Sequence, residues 1–282
     1  MEPQIIETLG LNAWWQSPPG QYVLNWQQSQ FDRAVSDLFG YHALQVGLPQ
    51  IDTLRHNRMP HRWLACRHPS DLAIGQPHGP AAHVPSPAVS ALVAESVALP
   101  FADQSLDLVV LPHGLETSLD PHATLREVER VLVPEGRLVI SGLNPMSLWG
   151  LRQQRTRWLQ RWGAKDEFVP DVGDWMAYWR LRDWLKLLSF QVERGSFGIY
   201  RPAVDKQLWL QRWAWMDNAG ERWWPVLGAA YFLVAIKRVH GMRMLGTSWR
   251  RAAAVAVRQT STAKTRPVVT QRQSGEVIDE MR

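Results

Sequence analysis

ESVALPFADQSLDLVVLPHGLE (residues 95–116), followed by LREVERVLVPEGRLVISGLNP (residues 125–145), decides the architecture. Leu106 to Leu111 is a short run rich in aliphatic residues with turn-formers beyond it, the pattern of a strand buried on both faces. Asp120 then offers a capping carboxylate, and Pro121 presets the first turn of a helix. Leu125, Val128, Val131 and Leu132 recur on one face of that helix until Pro134 and Gly136 stop it. Arg137 to Gly142 is the next apolar strand. The capped helix between the two runs predicts that they are core strands of one mostly parallel sheet.

Working outward, Tyr22, Trp26, Phe31, Val35 and Leu38 predict an amphipathic helix over Gln21 to Phe39, ended by Gly40. Ala43 to Gly47 reads as a short buried strand adjacent to the central pair, and His61 to Arg67 as another strand. His68 to Pro87 holds five prolines and no helical periodicity, so it reads as a loop. A short edge strand follows near Leu92 to Glu95. Gly150 to Gly163 and Gly173 to Ser189 read as helices, and SFQVERG (189–195) and GAAYFLVAIKRV (228–239) as a final pair of strands. Alternating strands and helices make this an α/β chain with helices on both faces of the sheet. The division expected is an N-terminal helical extension (1–42), a main domain (43–240) with a Trp-rich helical insertion (about 149–224), and a basic disordered tail (241–282).

The 282 residues carry a formal charge of +5. From Gly241 to Arg282 there are seven Arg and one Lys against three acids, 8 − 3 = +5, so the excess belongs to the tail. Such a tail suits solvated disorder, or contact with nucleic acid or an acidic partner. The one cysteine, Cys66, excludes an internal disulfide and the common zinc sites. With no signal-peptide pattern at MEPQIIETLG, and a longest apolar run (Val226 to Ile236) too short to span a bilayer, a cytoplasmic location is expected. The histidines show no metal-ligand spacing, and GxSxG and P-loop motifs are missing.

Eleven of the sixteen tryptophans fall between Trp149 and Trp224, several at helical spacing. They read as a helical layer packing large rings on the sheet. The alternatives are an aromatic wall for a substrate or partner, and a membrane-surface role, since Trp favours interfaces.

The quoted segments resemble the second half of the class I, Rossmann-like methyltransferase domain, in the type 11 methyltransferase-like bacterial group. The matching residues are Glu95, Leu99-Pro100-Phe101, Asp107, Arg130-Val131-Leu132, Pro134 and Gly136, with order and spacing agreeing over about fifty residues. Similarity of some kind extends over roughly Tyr22 to Val239. The resemblance implies S-adenosylmethionine as cofactor, methyl transfer to an acceptor it does not name, and cofactor binding by Gly47, Glu95, Ser96, Pro112 and His113. These lie at or just beyond expected strand ends, where open α/β sheets bind ligands. In the family the residue matching Glu95 faces the adenine amino group.

The sequence also departs from the family. The first strand normally runs into GxGxG; here QVGLPQIDTL (residues 45–54) keeps Gly47 but puts Pro49 and Gln50 where glycines are usual. Arg67 and His68 stand where an acid usually holds the ribose. Any S-adenosylmethionine binding is therefore expected to be weak and to depend on Glu95. The alternative function is a non-catalytic protein of the same fold that binds a protein or nucleic-acid partner through its Trp-rich layer and basic tail.

Overall fold

The computed structural model describes residues 13–74, 89–160, 162, 168–169 and 175–238. The chain divides into two units, Met1–Val239 and His240–Arg282. The expected disordered tail lies outside the described residues, as does the part of the proline-rich stretch from 75 to 88.

Seven strands form one sheet: β1 (His42–Val46), β2 (His61–Cys66), β3 (Ser90–Val93), β4 (Leu106–Pro112), β5 (Leu132–Leu143), β6 (Phe190–Gly198) and β7 (Ala230–Lys237). Their order is β3-β2-β1-β4-β5-β7-β6. The first five strands run parallel to their neighbours; β7 pairs antiparallel with both β5 and β6. The expected core strands β1, β4 and β5 are adjacent.

Helices cover both faces. In β4, alternate residues point to opposite sides. Leu108 and Val110 join a core with Val23, Phe31 and Val35 of α1 (Pro18–Val35), while Val109 and Leu111 join one with Leu125 and Val128 of α3 (Pro121–Val131) and Leu181 and Leu185 of α5 (Tyr178–Leu187). Continuous burial on both faces explains why LDLVVL is aliphatic rather than alternating. Between α1 and α3 lies α2 (Pro69–Ile74); α4 (Leu148–Gln160) follows β5, and α6 (Gln207–Arg212), α7 (Trp215–Trp223) and a 3₁₀ turn (Pro225–Leu227) link β6 to β7.

Several expectations need correction. Helix α1 begins at Pro18 rather than Gln21, because Ser17 caps it and two prolines fill its first turn, and it ends at Val35 rather than Phe39. Past its end, Gly40 is required by contact: a Cβ there would run into the Asp107 side chain, whose Oδ2 accepts from the Tyr41 and His42 N–H groups at 2.8 and 2.9 Å. A short helix forms at Pro69, inside the stretch read as loop; proline fits a first helical turn. Leu132, read as helical, begins β5 opposite Leu106. The tryptophans do not form one packed layer. Trp149 is buried, but Trp158, Trp162, Trp179, Trp209, Trp215, Trp223 and Trp224 are exposed.

Candidate functional site

The C-terminal ends of β1, β2, β3 and β4 share one edge of the sheet, and the residues expected to bind cofactor lie there. At the end of β1, Gly47 has φ +80° and Leu48 φ +41°. The left-handed turn suits Gly47, and the side where a Cβ would project is open, its nearest neighbour being the Pro112 carbonyl oxygen at 4.0 Å. Gly47 and Pro112 thus face each other across the ends of adjacent strands.

The rest of this turn is held from within. Gln45 is buried in β1, and its amide donates to the Gly47, Leu48 and Ile51 carbonyls at 3.3, 3.1 and 2.8 Å. Its oxygen accepts from the Thr53 N–H at 3.1 Å and hydroxyl at 2.7 Å. The Gly47 N–H itself donates to the Ala65 carbonyl at 2.8 Å. One glutamine side chain therefore does the folding work that a glycine-rich sequence would leave to backbone freedom. The sequence signal for Gln45 is a polar residue inside an apolar strand.

Glu95 lies just beyond β3, two strands from Gly47, with its side chain 51% exposed. Its carboxylate accepts from Arg67 Nε at 3.2 Å. The arginine that replaces the family's ribose-binding acid is thus the partner of the acid expected to face adenine. Ser96 belongs to a hydroxyl cluster, 3.0 Å from Thr124 Oγ1 and 3.5 Å from Ser118 Oγ, which ties the LPF turn to the start of α3.

His113 ends β4 with φ +53° and is 1% exposed. Its Nδ1 lies 2.5 Å from Glu116 Oε2 and its Nε2 lies 2.7 Å from the Gln27 amide nitrogen. With the amide so oriented, His113 donates from Nδ1 to the carboxylate and accepts at Nε2. Glu116 also accepts the Leu143 N–H, so the network joins the β4 turn, the end of β5 and α1. Burial, with the Glu116 charge second, holds the Tyr231 phenol well above its ordinary pKa of 10.0, so it stays neutral. The Trp15 ring stacks at an angle over His113, with ring centres 5.0 Å apart. Sequence reading singled out His113 but missed Glu116, three residues on, and Gln27 and Trp15, whose proximity only the folded chain reveals.

Around His113, three buried polar atoms have no hydrogen-bond partner: Gln27 Oε1, Trp15 Nε1 and Ser141 Oγ. Ser141 is a direct neighbour, its carbonyl accepting the His113 N–H at 3.0 Å. Together with the open side of Gly47 and the exposed carboxylate of Glu95, these atoms fit a ligand with both polar and charged groups, as S-adenosylmethionine is. An open cleft of about 360 Å³ lies elsewhere, lined by Gln21, Tyr22, Asn25, Arg201 and Gln211 among others. There Arg201 sits 4.4 Å above the Tyr22 ring and pairs with Asp217 at 2.9 Å. Among the described residues no group of His, Cys, Asp and Glu could hold a metal ion, and no helix is long and apolar enough to cross a membrane.

A family model described as a methyltransferase domain matches residues 68–140, from the end of β2 into β5. The uncharacterized protein YafS of Escherichia coli (strain K12) is 37% identical over 145 residues, 51% of this chain and 54% of that protein. A demethylmenaquinone methyltransferase of Chlamydia pneumoniae is 36% identical over 63 residues, 22% of this chain and 27% of that protein. The matches thus span about half, or less, of these relatives' lengths. Among solved structures, a chain from the Haloferax volcanii complex of the Trm112 methyltransferase activator with a methyltransferase superposes with a TM-score of 0.57, covering 82% of this chain and 97% of that one at 16% identity, a likeness of fold. In its strand order and its antiparallel β7 the chain has the class I, Rossmann-like methyltransferase fold, and from β2 into β5 its sequence matches the methyltransferase-domain model.

Proposed function

We propose that the chain is an S-adenosylmethionine-dependent methyltransferase acting on an acceptor still to be identified. The observation that carries this reading is the grouping of Gly47, Glu95, Pro112 and His113 along the C-terminal edge of a methyltransferase-type sheet. When bound, S-adenosylmethionine supplies a methyl group already activated on a sulfonium, so the protein's task is binding, orientation and exclusion of water. Glu95 would accept a hydrogen bond from the adenine amino group. The Gly47 turn lets backbone approach the ligand without a side chain in the way. Trp15 and Gln27 keep the end of β4 dry.

Titration calorimetry of wild type and Glu95→Ala with S-adenosylmethionine and its demethylated product tests this. Loss of a hydrogen bond to a charged group costs about 1–3 kcal/mol, so affinity is expected to fall by roughly one to two decades. Arg67→Ala should tighten binding, since it frees the Glu95 carboxylate. Equal binding by wild type and Glu95→Ala removes Glu95 from the site.

A second reading, a non-catalytic protein of this fold, draws support from specific contacts. The Gly47 N–H is taken by Ala65, Glu95 by Arg67, and both His113 ring nitrogens by Glu116 and Gln27. On this reading the Trp-rich elements and the basic segment 241–282 would contact a protein or nucleic-acid partner. Undetectable binding of S-adenosylmethionine by wild type at millimolar ligand would move the assignment here.

A further inference from the structure

Helix α4 is amphipathic in an inverted sense. At 100° per residue, Leu148, Leu151, Arg155 and Trp158 fall within one narrow stripe, and Trp162, just past the helix end, continues it. This stripe faces solvent: Leu148 is 50% exposed, Leu151 57%, Trp158 58% and Trp162 78%. The opposite side buries Trp149 and Gln153 against the body of the domain, with Trp149 Nε1 donating to the Arg201 carbonyl at 2.8 Å. Trp158 and Trp162 lie with ring centres 6.1 Å apart, so the rings form a pair in solvent.

The stripe has neighbours of the same kind. Asn144, just before the helix, donates to the Val226 and Gly228 carbonyls at 2.8 and 3.0 Å. That ties the segment carrying the exposed Trp223, Trp224, Val226 and Leu227 to the residue two places before the exposed Met146. Exposed large apolar side chains gathered on neighbouring elements mark a surface built to be covered.

Charge indicates what covers it. Between Leu148 and Trp162 the sequence holds Arg152, Arg155, Arg157 and Arg161 and no Asp or Glu. Arg155 sits on the apolar stripe itself and is exposed. Leucine and tryptophan on one helical face, with an exposed arginine among them and no acid in the helix, is the composition of a helix lying in a membrane interface, where indole rings favour the headgroup level and guanidinium groups meet phosphate.

We propose that the outward face of α4, with the Trp223–Leu227 turn beside it, docks on the surface of a bilayer containing anionic phospholipid. The Leu and Trp side chains enter the boundary between headgroups and acyl chains, and Arg155, exposed on the same stripe, remains among the phosphates. This holds whether or not the chain transfers a methyl group, because none of these residues belongs to the Gly47–His113 site.

The test uses the full chain with large unilamellar vesicles of phosphatidylcholine alone and of phosphatidylcholine with one third phosphatidylglycerol, followed by flotation and by quenching of Trp fluorescence with brominated acyl chains. Wild type is expected to float with the anionic vesicles and to be quenched. Leu148→Gln/Leu151→Gln/Trp158→Gln, all at exposed positions, should keep the wild-type melting midpoint, weaken partitioning about tenfold or more, and lose most of the quenching. Failure of wild type to bind anionic vesicles overturns the proposal. So does equal partitioning by the triple variant, which would assign binding to the basic segment 241–282. Self-association or a protein complex that the triple variant abolishes, without vesicle binding, would make this face a protein interface and overturn it as well.

Discussion

Glu116 and His113 show how much depends on single polar side chains at the end of β4. Glu116 is almost fully buried, a costly place for a carboxylate unless its oxygens are satisfied. It is satisfied twice over, by the Leu143 N–H on one oxygen and by His113 on the other. Glu116→Ala leaves both donors without a partner, and each such loss costs about 1–3 kcal/mol. The expected destabilisation is about 2–6 kcal/mol, twice the cost of one such loss, read as a lower urea midpoint with an unchanged slope. Glu116→Gln should cost less, because a carboxamide oxygen still accepts from Leu143. If Glu116→Ala unfolds at the wild-type midpoint, the network is not what fixes the β4 turn. The residues around it are strained as well: Leu48 and His113 have φ of +41° and +53°, unusual for residues with a Cβ, and both lie at the strand ends where the candidate site forms.

At the scale of elements, α3 organises the turn that carries Glu95. Glu127, one turn from the end of the helix, accepts from Arg130 at 2.7 and 3.0 Å and from the Leu99 N–H at 2.8 Å. Arg130 in turn donates to the Phe101 carbonyl at 2.9 Å. The Leu99-Pro100-Phe101 turn thus hangs from the helix, which gives the LPF and RVL motifs a shared physical reason. The hydrogen bond from Arg130, followed by that from Leu99, holds the Glu127 carboxyl below its ordinary 4.5 despite the opposing effect of burial. Because the folded value is the lower one, the stabilisation is complete above about pH 4.5 and is lost as pH falls through the lowered value. Glu127→Gln should therefore lower the melting midpoint at pH 7 and flatten its decline in acid; an identical pH profile for both proteins would remove Glu127 from this role. Elements of this kind were legible because their signals are local: the Asp120 cap, the Pro121 start and the alternating burial of LDLVVL all lie within a few residues of what they control. The site was legible only in part. Gly47, Glu95 and His113 could be placed from strand ends, but the Arg67–Glu95 pair spans 28 residues and the Gln27–His113 contact 86, and no periodicity reports such distances.

For the whole molecule, the decisive feature is that α1 is part of the core and also the cover of the β4 end. Trp14, Trp15, Val23, Leu24, Phe31 and Val35 are buried in the cluster that contains Leu108, Val110, Val139 and Phe232. Phe31 meets Phe232 edge-on with ring centres 5.0 Å apart. From the same segment Trp15 and Gln27 reach His113, so the site cannot be uncovered by moving this segment away without also opening the core. The energetic scale follows from burial: about 1.5–3 kcal/mol for each large apolar side chain fully removed from water, so about 9–18 kcal/mol for six of them. That sum is an upper estimate, because unfolded chains already bury some of this surface, yet it matches or exceeds the ~5–15 kcal/mol of stability typical of a domain. A chain lacking residues 1–36 is therefore expected to give no cooperative thermal transition by circular dichroism and to expose apolar surface to dye. A chain ending at Val239, where the first unit ends, is expected to keep the full-length midpoint within a few degrees. A cooperative transition near the full-length midpoint in the N-terminal deletion would show that the sheet and its other helices suffice, and that α1 is a separable cover whose release could open the end of β4.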